Sequence, residues 1–226
     1  MKILMTLFLI LNVMGYGCAR ESRLYIELTY HPQENPVRLE KVKNIAFKLK
    51  VNDLRAKASN LRMENEVGNS NGEQPNQSGF PILAKDHLGD LTAYAIQTEL
   101  INRGFRLGEG VLVEVDLIKF YFSTGAVPIT KFVYQRITAS GEIILHIDII
   151  KSNKTIVFSK LIKGRGEYKR PEFKRNEENQ YTSSEPLPKK PIDVVTIALE
   201  NALKDGISKL TNDPEFINSL IKADMR

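Results

Sequence analysis

His146 and Asp148 stand two residues apart in an apolar stretch, a spacing that puts an imidazole and a carboxylate on one face of a β-strand. Such a pair could begin a metal site or act in proton transfer. Leu145, Ile147 and Ile149 take the other face, so the plainer expectation is a pair on the solvated side of a half-buried strand. The two remaining histidines, His31 and His87, fall in a turn and at a helix start, with no His-Glu-x-x-His pattern and no cysteine ligands. Ser219-Leu220-Ile221-Lys222 has the spacing in which a lysine can take the proton of a nucleophilic serine, but no Ser-Asp-Asn or Lys-Thr-Gly element accompanies it. Asp53 and Arg55 are read as an ion pair that fixes a turn, because neither a second carboxylate nor a nucleophile can be placed beside them. Gly104, Gly108 and Gly110 surround a helix-to-strand connection, whereas a phosphate loop needs its glycines to enter a helix N-terminus. No catalytic constellation emerges, and the chain is expected to be non-enzymatic, with no cofactor and no metal.

The chemistry that does stand out is at Cys18, the only cysteine among 226 residues. It closes a short apolar segment. Lys2 supplies a positive start, Ile3 to Met14 are interrupted only by Thr6 and Asn12, and Gly15-Tyr16-Gly17 lead to the cysteine. This is the pattern of a cleaved export signal over residues 1–17, too short for the ~20 residues that span a bilayer. In an exported protein a lone cysteine has no intramolecular disulfide partner, and acylation gives it a use. Residues 18–23 are therefore expected to be a lipid anchor, with palmitate-like chains on Cys18, and a tether. Each buried CH₂ contributes about 0.8 kcal/mol, so more than one chain holds stably. Ala19 stands where many inner-membrane lipoproteins of Gram-negative bacteria have Asp, which by that resemblance favours the outer membrane, facing the periplasm.

The formal charge of +5 is too slight to imply nucleic-acid binding. The remaining length suits one domain over 24–226. Leu24, Ile26 and Leu28 alternate with Tyr25, Glu27 and Thr29 as in a half-buried strand, ended by His31 to Pro36. A second strand is expected from about Lys43 to Val51, with Ile45, Phe47, Leu49 and Val51 on its core face. A flexible loop is expected near 60–80, where Asn, Gly, Gln and Ser dominate. A helix is expected from near Leu83 to Gly104, with Leu88, Leu91, Ala95, Ile96 and Leu100 inward and Asp86, Asp90 and Glu99 outside that stripe. Gly104 is placed as its left-handed cap. Val111, Val113, Val115 and Leu117 then change phase to Phe120 and Phe122, which predicts a bulge near Lys119. Strands are expected over 131–150, with a bend at Gly141, and from Thr155 to about Lys163, joined at Ser152-Asn153. A second polar loop is expected near 165–191, then a helix after Pro191 and a short one capped at Asn212-Asp213-Pro214. The fold class is α+β: a mainly antiparallel sheet, one middle helix and a C-terminal helical pair.

The succession of these features resembles a known family. The apolar signal with Cys18, Val51-Asn52-Asp53-Leu54-Arg55 after the early strand, Ile101-Asn102-Arg103-Gly104-Phe105 at the helix end, and the tail from Ile192 through Asn212-Asp213-Pro214-Glu215-Phe216-Ile217 to Lys222 are together similar to the YajG family of bacterial envelope lipoproteins. That resemblance implies a signal-bearing lipoprotein with a compact α/β domain and no enzymatic role.

Lys169, Arg170, Lys174 and Arg175 form a basic loop that could touch a partner or phosphorylated lipid headgroups, although Glu172, Glu177 and Glu178 dilute its field. The expected function is a membrane-anchored accessory or interaction module that meets an unknown envelope protein by strand addition or through its loops. Two alternatives remain open: a lipid- or glycolipid-binding component, which needs a concave apolar pocket, and a cell-wall hydrolase, which needs a carboxylate or serine facing a cleft.

Overall fold

The computed structural model describes residues 23–34, 36–59, 61, 63–69, 81–124, 138–169, 173–175, 181–183 and 191–225. Residues 1–17, Cys18, most of the stretch 60–80 and Arg170 lie outside the described residues. Lys169, Lys174 and Arg175 are described in their backbone only.

The fold is α+β, and its main sheet has the order β5-β2-β6-β7-β8. Strands β6 (Val111–Thr124), β7 (Thr138–Ile150) and β8 (Ile156–Lys169) form an antiparallel meander. Strands β2 (Ala46–Asp53) and β5 (Arg106–Leu107) join it in parallel, so the sheet is mixed. The phase change in β6 is a bulge: the register with β7 slips between Leu117 and Lys119, as expected from the switch in alternation. A second sheet, β1-β4-β3, combines Leu24–Ile26, Pro81–Ala84 and Glu66–Asn69.

Four helices cover the sheets among the described residues: α1 (Arg55–Ser59), α2 (Leu88–Asn102), α3 (Pro191–Thr211) and α4 (Pro214–Asp224). Proline opens both α3 and α4, where its missing N–H costs nothing. Asp213 caps α4 by accepting from the Glu215 backbone N–H at 2.9 Å. Gly104 closes α2 at φ 107°, a left-handed conformation that glycine reaches without a Cβ penalty. The inner faces of β6 and β7 bury Val113, Val115, Leu117, Ile143, Leu145 and Ile147 beneath α3, while Phe158 of β8 meets Phe216 of α4 edge-on at 5.6 Å. None of the described helices is long and apolar enough to cross a membrane.

Four local expectations are corrected. Leu83 is in a strand: Pro81 to Ala84 are buried throughout as β4, and the helix starts only after His87. A four-residue apolar run suits either element, and pairing between β1 and β3 decides it. Glu99 is not outside the helix stripe; it is 0% exposed, because the segment after β1 covers that side of α2. β8 continues past Lys163 to Lys169, through residues assigned to a loop. Gly141 is not a bend; it pairs in register with Phe122 and Gly166, and an added Cβ would lie 2.7 Å from the Ala198 carbonyl oxygen. Gly164 and Gly166 serve the same purpose, letting the α3 backbone lie directly on the sheet, with their added Cβ atoms 2.3 and 2.2 Å from backbone oxygens of Ala202 and Ala198.

Candidate functional site

The side of the main sheet away from α3 carries the polar alternates of each strand. Lys50 Nζ on β2 meets Glu114 Oε1 on β6 at 2.6 Å, and Asn52 Nδ2 donates to Glu114 at 3.0 Å and to Asp116 at 2.8 Å. The hydrogen bond from Lys50, then that from Asn52, hold the Glu114 carboxyl below its ordinary value. On β7, His146 lies between Asp116 (3.9 Å) and Asp148 (3.7 Å), and its Nε2 approaches Ser159 Oγ at 3.1 Å. His146 and Asp148 thus share a half-exposed face opposite buried Leu145, Ile147 and Ile149, as the alternation implied. Further along, Glu142 receives Lys119 at 2.5 Å, with Lys163 and Arg165 at 3.7 and 3.9 Å. Burial raises the Glu142 pKa, but Lys119 and the neighbouring charges outweigh it and bring the group below its ordinary value. Cross-strand charge pairs of this kind fix register and keep the face wet. Among the described residues no group of three or more His, Cys, Asp or Glu side chains gathers to hold a metal ion.

The outer edge of β8 is divided. Lys209 Nζ donates to the Lys163 carbonyl at 3.0 Å, the Arg165 N–H donates to Asp205 Oδ2 at 2.8 Å, and Asn201 Nδ2 donates to the Glu167 carbonyl at 3.2 Å. Asn201, Asp205 and Lys209 are spaced by four along α3, so one helix face caps three successive outward backbone groups of the strand. Alternation points the N–H and C=O of Ser159 and Leu161 to the same edge, where no partner meets them among the described residues. Leu161 is 54% exposed, and Ile156 at the start of the strand is also exposed. Among the described residues this half of the edge is an unpaired template with apolar side chains beside it.

A cleft of about 390 Å³ opens at the C-terminal end of β2, lined by Val51, Asp53, Glu64, His87, Gly89, Asp90 and Ala93. Arg55 turns away from it and is buried. Its Nε and Nη2 grip the Asp53 carboxylate at 2.9 and 2.7 Å, while Nη1 and Nη2 donate to the carbonyls of Glu66 and Glu64. The Asp53 and Arg55 pair is therefore the turn-fixing ion pair that their spacing suggested, and it ties the β2–α1 corner to β3. Ser219 and Lys222 lie on α4. Gly104, Gly108 and Gly110 lie in the α2-to-β6 connection, as expected, where an added Cβ at Gly110 would meet the Ala46 carbonyl at 2.1 Å.

One polar cluster was not anticipated. After β1 the chain runs as a strap over α2 and α3. Tyr30 Oη and the Gln33 N–H both donate to Glu99 Oε1, at 2.7 and 3.0 Å, Gln33 Nε2 donates to Ser208 Oγ at 2.8 Å, and the Thr29 N–H donates to Glu200 Oε1 at 2.8 Å. Burial, then the hydrogen bond and charge of Glu99, push the Tyr30 phenol far up. Burial lowers Arg103 at the α2 end, opposed by Glu99. Glu99 follows Leu88, Thr92, Ala95 and Ile96 at helical spacing, so its inward position was readable; only its polarity argued otherwise.

No protein-family model matches the chain, and no curated protein matches it. Among solved structures it is similar to a Xanthomonas campestris protein of family DUF330, at TM-score 0.47 and 12% identity, covering 84% of this chain and 92% of that one. It is also similar to a neuraminyllactose-binding hemagglutinin homolog from Helicobacter pylori, at TM-score 0.45 and 9% identity, covering 87% of this chain and 97% of that one. Similarity at this level carries no statement about function.

Proposed function

We propose that the chain is a lipid-anchored protein of the bacterial outer membrane whose α+β domain faces the periplasm as a non-enzymatic interaction module. The observation that carries this reading is the place of Cys18, the only cysteine, at the end of a short apolar segment and just ahead of the first strand. The succession of motifs resembling the YajG lipoproteins supports it. Acylation of Cys18 confines the domain to a surface and raises its effective concentration towards a membrane partner. Recognition of an envelope protein then runs through the β8 edge: an extended segment of the partner adds a strand beside Ser159 and Leu161, with Leu161 and Ile156 giving side-chain contact. The carboxylate-lined cleft at the end of β2 is itself a poor match for an acyl chain.

A photocrosslinker at Leu161 in living cells tests this. The expected result is capture of a specific envelope protein, lost when Ser159→Pro removes the outward N–H that an added strand needs. Proline is tolerated at an edge position, so the variant is expected to fold, which circular dichroism checks. A crosslinker at exposed Tyr94 is the control. Equal capture from Tyr94, or capture indifferent to the proline, would contradict recognition through this edge.

A further inference from the structure

The outer edge of β8 has a defined length, and its register sets it. Odd-numbered residues of the strand turn their backbone groups outward, as the Arg165 N–H and the carbonyls of Lys163 and Glu167 do in meeting α3. Lys209 occupies the Lys163 carbonyl and closes the edge on that side. At the other side the pairing with β7 slips between Phe158 and Ile156, and a bulge there turns the strand. Ser159 and Leu161 lie between these limits with two N–H and two C=O groups that meet no partner among the described residues.

The same edge carries a charge pattern. Ser159, Leu161, Lys163 and Arg165 project to the outer sheet face, where Asp148 stands opposite Ser159 and Glu142 opposite Arg165. Around Glu142 one carboxylate meets three cations, Lys119 at 2.5 Å, Lys163 at 3.7 Å and Arg165 at 3.9 Å, which leaves two positive charges in excess there. The side chains of Lys163 and Arg165 are 52% and 74% exposed, so that excess is open on the edge strand itself. Glu167 stands beyond Arg165, in the part of the edge that α3 covers. At the Ser159 end the sign reverses, with Asp148 and Asp116 flanking His146 at 3.7 and 3.9 Å. Exposed Leu161 lies between the two ends. Opposite charges across neighbouring strands stabilise and like charges destabilise, so an acidic side chain is favoured opposite Lys163 and disfavoured opposite Ser159.

Resting on recognition through this edge, we propose that the partner segment is an extended acidic-apolar peptide added antiparallel to β8, with an Asp or Glu opposite Lys163 and, two residues later, an Ile, Leu or Val opposite Leu161. The antiparallel sense continues the β6-β7-β8 meander and sets paired residues on one face. The partner carboxylate reaches Lys163 and Arg165, and the apolar side chain covers Leu161. Main-chain bonds to Ser159 and Leu161 hold the strand, while the change of sign along the edge fixes its direction and register.

An NMR titration of the mature chain with two capped peptides tests this: acetyl-Thr-Glu-Thr-Ile-Thr-Thr-Thr-amide and its counterpart with Lys in place of Glu. The expected result is amide shifts centred on Ser159 and Leu161, with severalfold tighter binding of the Glu peptide and a margin that narrows as salt rises. The double variant Lys163→Gln/Arg165→Gln is expected to erase the margin. Lys48→Gln/Lys85→Gln, which removes the same charge from two exposed sites elsewhere, is expected to keep it. Circular dichroism checks that both variants fold. Equal affinity for the two peptides, a preference for Lys, a margin indifferent to Lys163 and Arg165, or no shift at Ser159 and Leu161 would overturn the acidic partner. Capture through the Leu161 crosslinker in cells judges the edge separately. Its loss would sink recognition there whatever the peptides do, and its presence beside an absent margin would reject the acidic partner alone.

Discussion

The guanidinium of Arg55 is buried to 1% exposure, and four of its contacts are with fixed acceptors: two carboxylate oxygens of Asp53 and the carbonyls of Glu64 and Glu66. Removing one partner of a buried, hydrogen-bonded pair leaves the other charge stranded. Arg55→Ala is expected to cost about 3 kcal/mol in urea unfolding. Arg55→Lys is expected to recover little, since an ammonium cannot fork across a carboxylate and reach two carbonyls. A loss below about 0.5 kcal/mol, the range of an ordinary surface substitution, would contradict the role assigned to it. The Asp53 half of this arrangement was legible from spacing alone. The two carbonyls were not, because β3 delivers them from a segment whose packing no local pattern announces.

Glu200 gives a test of opposite sign. Burial raises its pKa above the ordinary 4.5, opposed by the Thr29 N–H and the charge of His31. The protonated form therefore suits the fold better. Its contribution is full below pH 4.5 and is lost as pH rises through the raised folded value. Glu200→Gln keeps an acceptor for Thr29 and mimics the protonated side chain. It is expected to raise Tm at pH 7 by about 1–3 °C, with the gap closing towards pH 4. A lower Tm at pH 7 would show that the ionised carboxylate is favoured after all.

Among the elements, β8 and α3 define each other. Gly166 would place a Cβ 2.2 Å from the Ala198 carbonyl oxygen and the Ala202 nitrogen, whereas Gly108 has nothing within 4 Å. Gly166→Ala is expected to cost about 3 kcal/mol or to abolish folding. Gly108→Ala is expected to stay within about 0.5 kcal/mol, and melting curves of the pair read the difference. Equal effects would mean that α3 does not lie directly on the strand. Gly164-Arg165-Gly166-Glu167 looks polar in the sequence, which hides the second half of β8. In the fold it is an ordinary alternation whose inner places are held by glycine. The matching clue was on the helix, where Ala198, Ala202 and Gly206 recur every fourth residue, but small residues reveal a close approach only once the partner is known. By contrast the bulge in β6, the Gly104 cap and the Asp213 cap were legible, because each is written in a handful of adjacent residues.

For the whole molecule, the class α+β followed from blocks of alternation and helical periodicity, while the parallel entry of β2 beside β6 depends on long-range pairing that no window of sequence contains. The same long-range pairing brings the start of β1, where the tether proposed for residues 18–23 would join, level with the end of β6. The account of function depends on that tether ending in lipid. Mass spectrometry of the mature protein purified from membranes, beside fractionation of wild type and Cys18→Ala, tests it most directly. The account predicts an N-terminal Cys18 carrying acyl chains in the outer-membrane fraction, and loss of both in the variant. An unmodified mature protein in the soluble periplasm would contradict it.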